Sequence, residues 1–488
     1  MAATAQQGPA VDAARGPHGR AMLVLAICCC SIFIVGLDTS ALNVALPSIQ
    51  HDLGASLQGA QWTLDSYLLV LASFLILSAS IADRIGRRRV FQVGLLVFAL
   101  GSLLCAAAPS HGWLIAFRVL QALGGSMLNP VAIAIISNTF TEPRARARAI
   151  GVWGGSIGVS IAAGPLLGGL LVEAFSWRAI FLINVPIAIS AFILAGRFIR
   201  ESMAAKRGRL DPFAQVLLVA GIASLTYGII EAPMHGWMSP VIFGCFGATV
   251  VSFALLVWWE LHRAEPLIDL RFFRSPPFSG ASVIALLAFT AQGGFLLLNT
   301  LYLQDVLDFS PLTAGLAILP MAALLAVFGP ISGRVVARYG PRPSLVLGGA
   351  AILAAGLMTV VPRSDPNYMR LFFTYALIGF GLGWTNAAIT NTAVSGMPNR
   401  QAGVAAGIAS TMRQLGQALG VAIIGSIIAG QVTEVVQSPA FMRAYHVSWA
   451  VIAAIGLTNL ILGVVTTSAR AVRSAQANTD RMGAAARD

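Results

Sequence analysis

Charge is scarce in this 488-residue chain: 10% of its residues are Asp, Glu, Lys or Arg, where a soluble domain carries roughly a quarter. With 57% apolar residues and a mean hydropathy of +0.80, a large soluble helical protein is disfavoured. The loops hold no nucleotide-binding glycine loop, which excludes an ATP-driven pump. They also hold no metal-ligand cluster and no Ser/His/Asp grouping, so neither an enzyme nor a bound cofactor is expected. The five cysteines (Cys28, Cys29, Cys30, Cys105 and Cys245) fall inside apolar runs without metal-ligand spacing and read as packing residues. A soluble module with a basic face is missing, so the net charge of +12 does not point to nucleic acid. The ends are about 20 residues long, too short for an effector domain, which disfavours a membrane sensor or scaffold that does not transport.

What is present is a series of apolar runs long enough to cross a bilayer. They predict fourteen helices near 22–47, 58–82, 90–108, 112–136, 148–172, 178–198, 213–232, 239–260, 278–303, 313–337, 344–362, 369–391, 403–430 and 446–468. Gly and Pro within them (Pro130, Pro165, Pro320, Pro330) are compatible with packed membrane helices. The first run is too long for a signal peptide, carries Asp38 late, and is expected to be a retained helix.

The basic residues check this count. On fourteen spans, 25 of the 31 Lys+Arg fall in the loops and tails of one side, including Lys206, Arg207, Arg209 and Arg400. The other side carries Arg178, Arg363, Arg370 and Arg443, and Arg118 and Arg413 lie within spans. By the positive-inside rule both termini are expected in the cytoplasm, which requires an even count. The expected localisation is a multi-pass protein of the cytoplasmic (inner) membrane.

An internal repeat then sets the architecture. Ala79-x-Ile81-x-Asp83-Arg84-x-Gly86-Arg87-Arg88 returns 254 residues later as Gly333-x-Val335-x-Ala337-Arg338-x-Gly340-Pro341-Arg342. Ala122-x-Gly124 with Asn129 returns at an offset of 257 as Gly379-x-Gly381 with Asn386. Gly151, Gly155, Gly164 and Gly168 return at an offset of 252 as Gly403, Gly407, Gly416 and Gly420. Spans 1–6 thus pair with spans 9–14, leaving spans 7 and 8 as an inserted hairpin. The organisation read from this is a tail (1–21), an N-terminal six-helix half (22–198), a hairpin with flanking loops (199–277), a C-terminal six-helix half (278–468) and a tail (469–488). The fold class is an all-α polytopic membrane protein of two pseudo-symmetric halves, the arrangement that places a substrate site near the bilayer midplane.

Ionisable groups deep in a membrane span are costly and mark functional sites. Asp38 and Asp65 lie well inside spans 1 and 2, and Arg118 six residues into span 4. At 1.5 Å per residue all three sit about 10–14 Å deep, where they can pair or exchange protons. The competing role for either acid is a structural ion pair with Arg118. Trp62 shares a helix face with Asp65, and an aromatic ring beside a carboxylate suits a lipophilic cation; an interfacial belt tryptophan is the alternative. Tyr67, Trp153, Phe295, Trp384, Gln292, Asn299, Asn386 and Asn391 are candidates to line a cavity or to pack between helices. Arg413, near the middle of span 13, needs an acceptor, with Asn386, Asn391 or the N-half acids as partners. Gly164-Pro165, with Gly168 and Gly169, breaks the span 5 ladder and permits close backbone packing.

These stretches resemble the major facilitator superfamily, specifically its fourteen-span drug:proton antiporters of the EmrB/QacA type, over residues 20 to 470. Asp83-Arg84-x-Gly86-Arg87-Arg88 is similar to the superfamily's loop motif, and Arg118-x-x-Gln121-x-x-Gly124 to the fourth-span motif of proton-driven members. Gly164-Pro165-x-x-Gly168-Gly169 is similar to the fifth-span antiporter motif, and Leu37-Asp38-Thr39-x-x-x-Asn43-x-Ala45-Leu46-Pro47 to the first-span motif of the fourteen-span branch. Trp177-Arg178 through Asn184-x-Pro186 adds support, while Ala79 and Ala122 stand where the family usually has Gly. The resemblance implies a major facilitator fold and multidrug efflux by alternating access, driven by the proton gradient without a cofactor. Asp38, Asp65, Arg118, Trp62, Asn43, Arg413 and Asn386 would serve coupling and binding, and the loop and fifth-span motifs conformational change. The partners it implies are the lipid bilayer, lipophilic small molecules and protons, with room for a periplasmic adaptor and an outer-membrane channel. Export of one specific natural product or metabolite is the alternative function.

Overall fold

The computed structural model describes residues 17–203, 211–263, 269–360, 368–395, 402–431, 439–471 and 473–474. Arg15, Lys206, Arg207, Arg209, Arg363, Arg400, Arg481 and Arg487 lie outside the described residues. The seven helices of the first part are α1 (Pro17–Leu53), α2 (Leu57–Ile85), α3 (Arg87–Ala106), α4 (His111–Thr139), α5 (Pro143–Ala174), α6 (Arg178–Leu182) and α7 (Asn184–Phe198). A hairpin of α8 (Pro212–His235) and α9 (Pro240–Leu261) follows. The chain then forms α10 (Pro276–Leu301), α11 (Pro311–Tyr339), α12 (Arg342–Val360), α13 (Tyr368–Val394), α14 (Ala402–Ala429) and α15 (Pro439–Thr466). Short α6 and α7 together make the sixth span, so fourteen helical segments are long and apolar enough to cross a membrane, as the hydropathy predicts.

Local chemistry fixes the ends of these helices. Ser56, Ser239 and Ser310 cap α2, α9 and α11 by accepting from Gly59, Ile242 and Thr313 N–H. Pro143, Pro212, Pro240 and Pro311 occupy first-turn positions, where the missing N–H costs nothing. Gly86, at φ 119°, turns the chain between α2 and α3. A side chain there would strike the Glu201 carboxylate at 2.6–2.8 Å.

The two halves meet along two seams, α2 against α14 and α5 against α11. The hairpin does not float free. Its α8 packs on both α2 and α14, covering that seam from outside. Asp211 ties its base, accepting from Ala214 N–H (3.0 Å), Trp259 Nε1 (2.8 Å) and Arg263 Nε (3.1 Å). Burial alone would raise the Asp211 carboxyl, but these donors outweigh it and hold it below the usual carboxylate range.

Candidate transport site

A buried polar cluster holds the N-half together around Asp38, which is 0% exposed. Arg118 Nη1 on α4 donates to Asp38 Oδ2 at 2.5 Å and to Gln121 Oε1 at 2.7 Å. Gln121 Nε2 (2.8 Å) and Asn184 Nδ2 (3.0 Å) both donate to Asp38 Oδ1. The guanidinium also donates to the Thr63 carbonyl at 3.2 Å and lies 4.0 Å from the Tyr67 ring centroid. Four helices (α1, α2, α4 and α7) thus converge on one ion pair, with Ser102 of α3 accepting from Gln121 and Asn184. A pair this dry persists because both Asp38 oxygens accept donors and the guanidinium finds three acceptors. Gln121 and Asn184 are neutral amides that the sequence marked only as members of family-like motifs, not as partners of Asp38. Their signal was a polar residue one turn from Arg118 and another at the head of an apolar helix.

Asp65 is different. It is equally buried, yet neither carboxylate oxygen has a hydrogen-bond partner among the described residues. Its neighbour Gln61, one turn earlier, donates across the seam to the Val421 and Ala422 carbonyls at 3.3 and 3.4 Å. Trp62 turns the other way. Its indole N–H donates to Glu231 Oε1 of α8 at 2.9 Å, and its ring lies 5.9 Å from that of Tyr227. The structure therefore directs Trp62 to the inserted hairpin, a partner that pairing it with Asp65 by spacing overlooked. Asn43 donates to Thr39 O of its own helix at 3.0 Å, and its Oδ1 is buried without a partner.

In the C-half, Arg413 donates to Thr390 Oγ1, and more weakly to Ser410 Oγ (3.3 Å) and the Asn386 carbonyl (3.5 Å). Its partners on α13 are thus a hydroxyl and the backbone of Asn386 rather than an acid of the N-half. Phe295 and Asn299 are fully buried in an aromatic core with Tyr375 and Trp449, where the Tyr375 hydroxyl donates to Asn299 Oδ1 at 2.6 Å. Trp384 packs on Phe328 and Phe380, with its Nε1 buried and unpartnered. A cavity of about 920 Å³ between α11 and α13 is lined by apolar and aromatic side chains such as Phe309, Leu316, Tyr368 and Phe380. It holds none of the ionisable residues above and is separate from their site.

The α5–α11 seam is tightest on one side. On the face opposite the basic loops, Gly169 sits against Pro311 and Leu312, and Gly315 against the Pro165 carbonyl. Leu312 N–H donates to Glu173 (3.2 Å), and Gln304 Nε2 donates to the Val44 carbonyl (2.8 Å). Gly164 and Gly168 pack inside the N-half on Ser40 and Ala41, so the fifth-span motif serves two contacts. Farther along the same face of α5, Gly158 still approaches Ala326, but a Cβ at Gly155 or Gly151 would meet no atom within 4 Å. Gly407 of α14 is equally open. The contact of α5 with α11 thus loosens toward the basic face. There Asp83 accepts from Arg87 Nε and Nη2 (3.0 and 2.8 Å), and Glu201 accepts from the Arg88 and Arg89 N–H groups (3.0 and 3.3 Å). Glu201, after the sixth span, is the acceptor that the loop motif does not reveal.

Comparison with known proteins gives this arrangement its family. The model of the Major Facilitator Superfamily matches residues 28–421. The chain is 37% identical over 433 residues to the tetracenomycin C resistance and export protein of Streptomyces glaucescens, covering 88% of this chain and 80% of that one. It is 35% identical over 398 residues to the multidrug resistance protein Stp of Mycobacterium tuberculosis (82% and 74%). It is 32% identical over 421 residues to the multidrug efflux pump LfrA of Mycolicibacterium smegmatis (86% and 83%). Among solved structures, a bacterial homolog of the human lysosomal transporter Spinster, in an inward-facing and unoccupied conformation, superposes with a TM-score of 0.60 at 18% identity, covering 95% of this chain and 98% of that one. With two six-helix halves meeting along two seams, fourteen helices able to cross a membrane, and a family match across most of its length, the chain belongs to the Major Facilitator Superfamily.

Proposed function

We propose that this protein exports lipophilic, cationic drugs or toxic compounds in exchange for protons, with its basic face and both termini in the cytoplasm of a cytoplasmic-membrane location. The observation that carries this is the contrast between two buried acids: Asp38 is bonded to Arg118, Gln121 and Asn184, while Asp65 has no hydrogen-bond partner among the described residues. Asp65 is then the group that exchanges its proton, and the Asp38–Arg118 pair is the scaffold that holds α1, α2, α4 and α7 as one body. A bare carboxylate crossing the closed state is costly, whereas Asp65 carrying a proton or a bound cation is neutral. Only those two loaded forms switch readily between faces, which makes the exchange obligatory. Resistance and efflux relatives at 32–37% identity support drugs as the substrate class.

Proteoliposomes supplied with a panel of dyes and antibiotics, with and without a pH gradient, test this. Accumulation that follows the gradient in the wild type and collapses in Asp65→Asn is the expected result. An Asp65→Asn protein that still trades drug for protons removes Asp65 from the role. The tetracenomycin-exporting relative favours a second reading, export of one natural product. It would show as a single transported compound in the panel.

A further inference from the structure

Two contacts fix how the inserted α8 lies on α2. Trp62 bonds Glu231 near the face opposite the basic loops, and Gln215 Nε2 donates to the Ser73 carbonyl at 2.7 Å nearer the basic face. By helical spacing, positions 62, 66, 69 and 73 of α2 form the stripe turned to α8. Gln61 defines the stripe turned to α14. Asp65, one turn from Gln61 and three residues from Trp62, falls on the wedge between the two stripes. Because α8 packs on both α2 and α14, it closes that wedge from the lipid. On α8, the i, i+7, i+11 series Gln215, Ile222 and Thr226 carries a stripe toward the same groove, with Thr226 near the level of Asp65.

The polar atoms at this junction share one property. Both Asp65 oxygens, Ser66 Oγ, Gln61 Oε1 and Thr226 Oγ1 are buried without a hydrogen-bond partner among the described residues. Buried polar atoms are costly when unpaired, and a cluster of them in one place is a site that water satisfies. At the outer end stands Glu231, with His235 Nδ1 3.7 Å from its Oε2 and more exposed. The ionisable residue of α14, Arg413, faces α13 instead.

We propose that the junction of α2, α8 and α14 is a hydrated proton-binding cleft that feeds Asp65 from the hairpin side of α2. Glu231 collects hydronium at its mouth, and Thr226, Ser66 and Gln61 hold the relaying water. An O–H bond of hydronium breaks as one forms on the next water, and the last forms on an Asp65 oxygen. Water is regenerated and the carboxylate becomes a neutral acid, with no other reactant. This assigns the inserted hairpin a task, and it rests on Asp65 being the exchanging group.

The test follows the Asp65 carboxyl stretch by time-resolved infrared spectroscopy after a pH jump on the purified full chain, the band being assigned by its loss in Asp65→Asn. Thr226→Val, which keeps shape but removes the hydroxyl, is expected to slow protonation about tenfold, the worth of roughly one hydrogen bond. Thr226→Ser should restore the rate, which a packing defect would not allow. Glu231→Gln keeps an acceptor for Trp62 but removes the charge, and is also expected to slow the step. Wild-type rates in both Thr226→Val and Glu231→Gln overturn the cleft while leaving Asp65 as the coupling acid. A band that never titrates overturns both.

Discussion

Replacing Asp38 by asparagine separates the scaffold from the chemistry. The substitution keeps an oxygen for Gln121 and Asn184 but turns an NH₂ toward Arg118 Nη1, now 2.5 Å from the carboxylate. Removing one partner of a buried pair costs about 3–5 kcal/mol because the other charge stays behind. Arg118 retains Gln121 Oε1 (2.7 Å), the Thr63 carbonyl (3.2 Å) and the Tyr67 face (4.0 Å), so the low end, about 3 kcal/mol, applies here. At 2–4 °C per kcal/mol for a unit of some 200 residues, the melting midpoint should fall by about 6–12 °C. The double variant Asp38→Asn with Arg118→Gln removes both charges and should recover most of that loss, because neutral partners of similar shape are inexpensive to bury. Thermal unfolding of the purified protein in detergent, run as a double-mutant cycle, gives the coupling. Asp38→Asn melting with the wild type, or a double variant less stable than either single one, would refute the reasoning.

Two further outcomes are expected. Gly315→Val drives a side chain against the Pro165 carbonyl, and overpacking of about 1–3 kcal/mol should shift the seam open by about 5- to 150-fold; faster thiol labelling of Leu312→Cys in a cysteine-free background is the readout, and unchanged labelling counts against the seam. Asp211, held below the usual carboxylate range, stabilises the hairpin above about pH 4, and this contribution disappears as the pH falls through its lowered folded value. Hydrogen exchange of α8 and α9 in Asp211→Asn should therefore exceed wild type at neutral pH, with the two converging only in acid.

The fourteen spans were legible because hydropathy and arginine placement are properties of the chain alone, independent of which helices meet. Asp38, Asp65 and Arg118 were legible as charges in an apolar setting, but their equal depth left the pairing open. Helix facing decided it: Arg118 turns to α1 and Tyr67, while Asp65 turns to the seam. Gln121 and Asn184 stood in family-like motifs, but their bonds to Asp38 stayed hidden because a neutral amide in a span looks the same whether it packs or binds. The Trp62–Glu231 bond was out of reach for another reason. The hairpin has no counterpart in the repeat, so nothing in the sequence said against which helix it would lie.

The hairpin also breaks the equivalence of the two flanks. A lipophilic molecule dissolved in the leaflet beside the basic face meets α8 laid across one seam, and α5 against α11 without an added helix along the other. A duplicated pair of halves would offer two side windows from the bilayer. This chain lays α8 across one of them and adds no helix along α5 and α11, so its two flanks present different surfaces to the lipid.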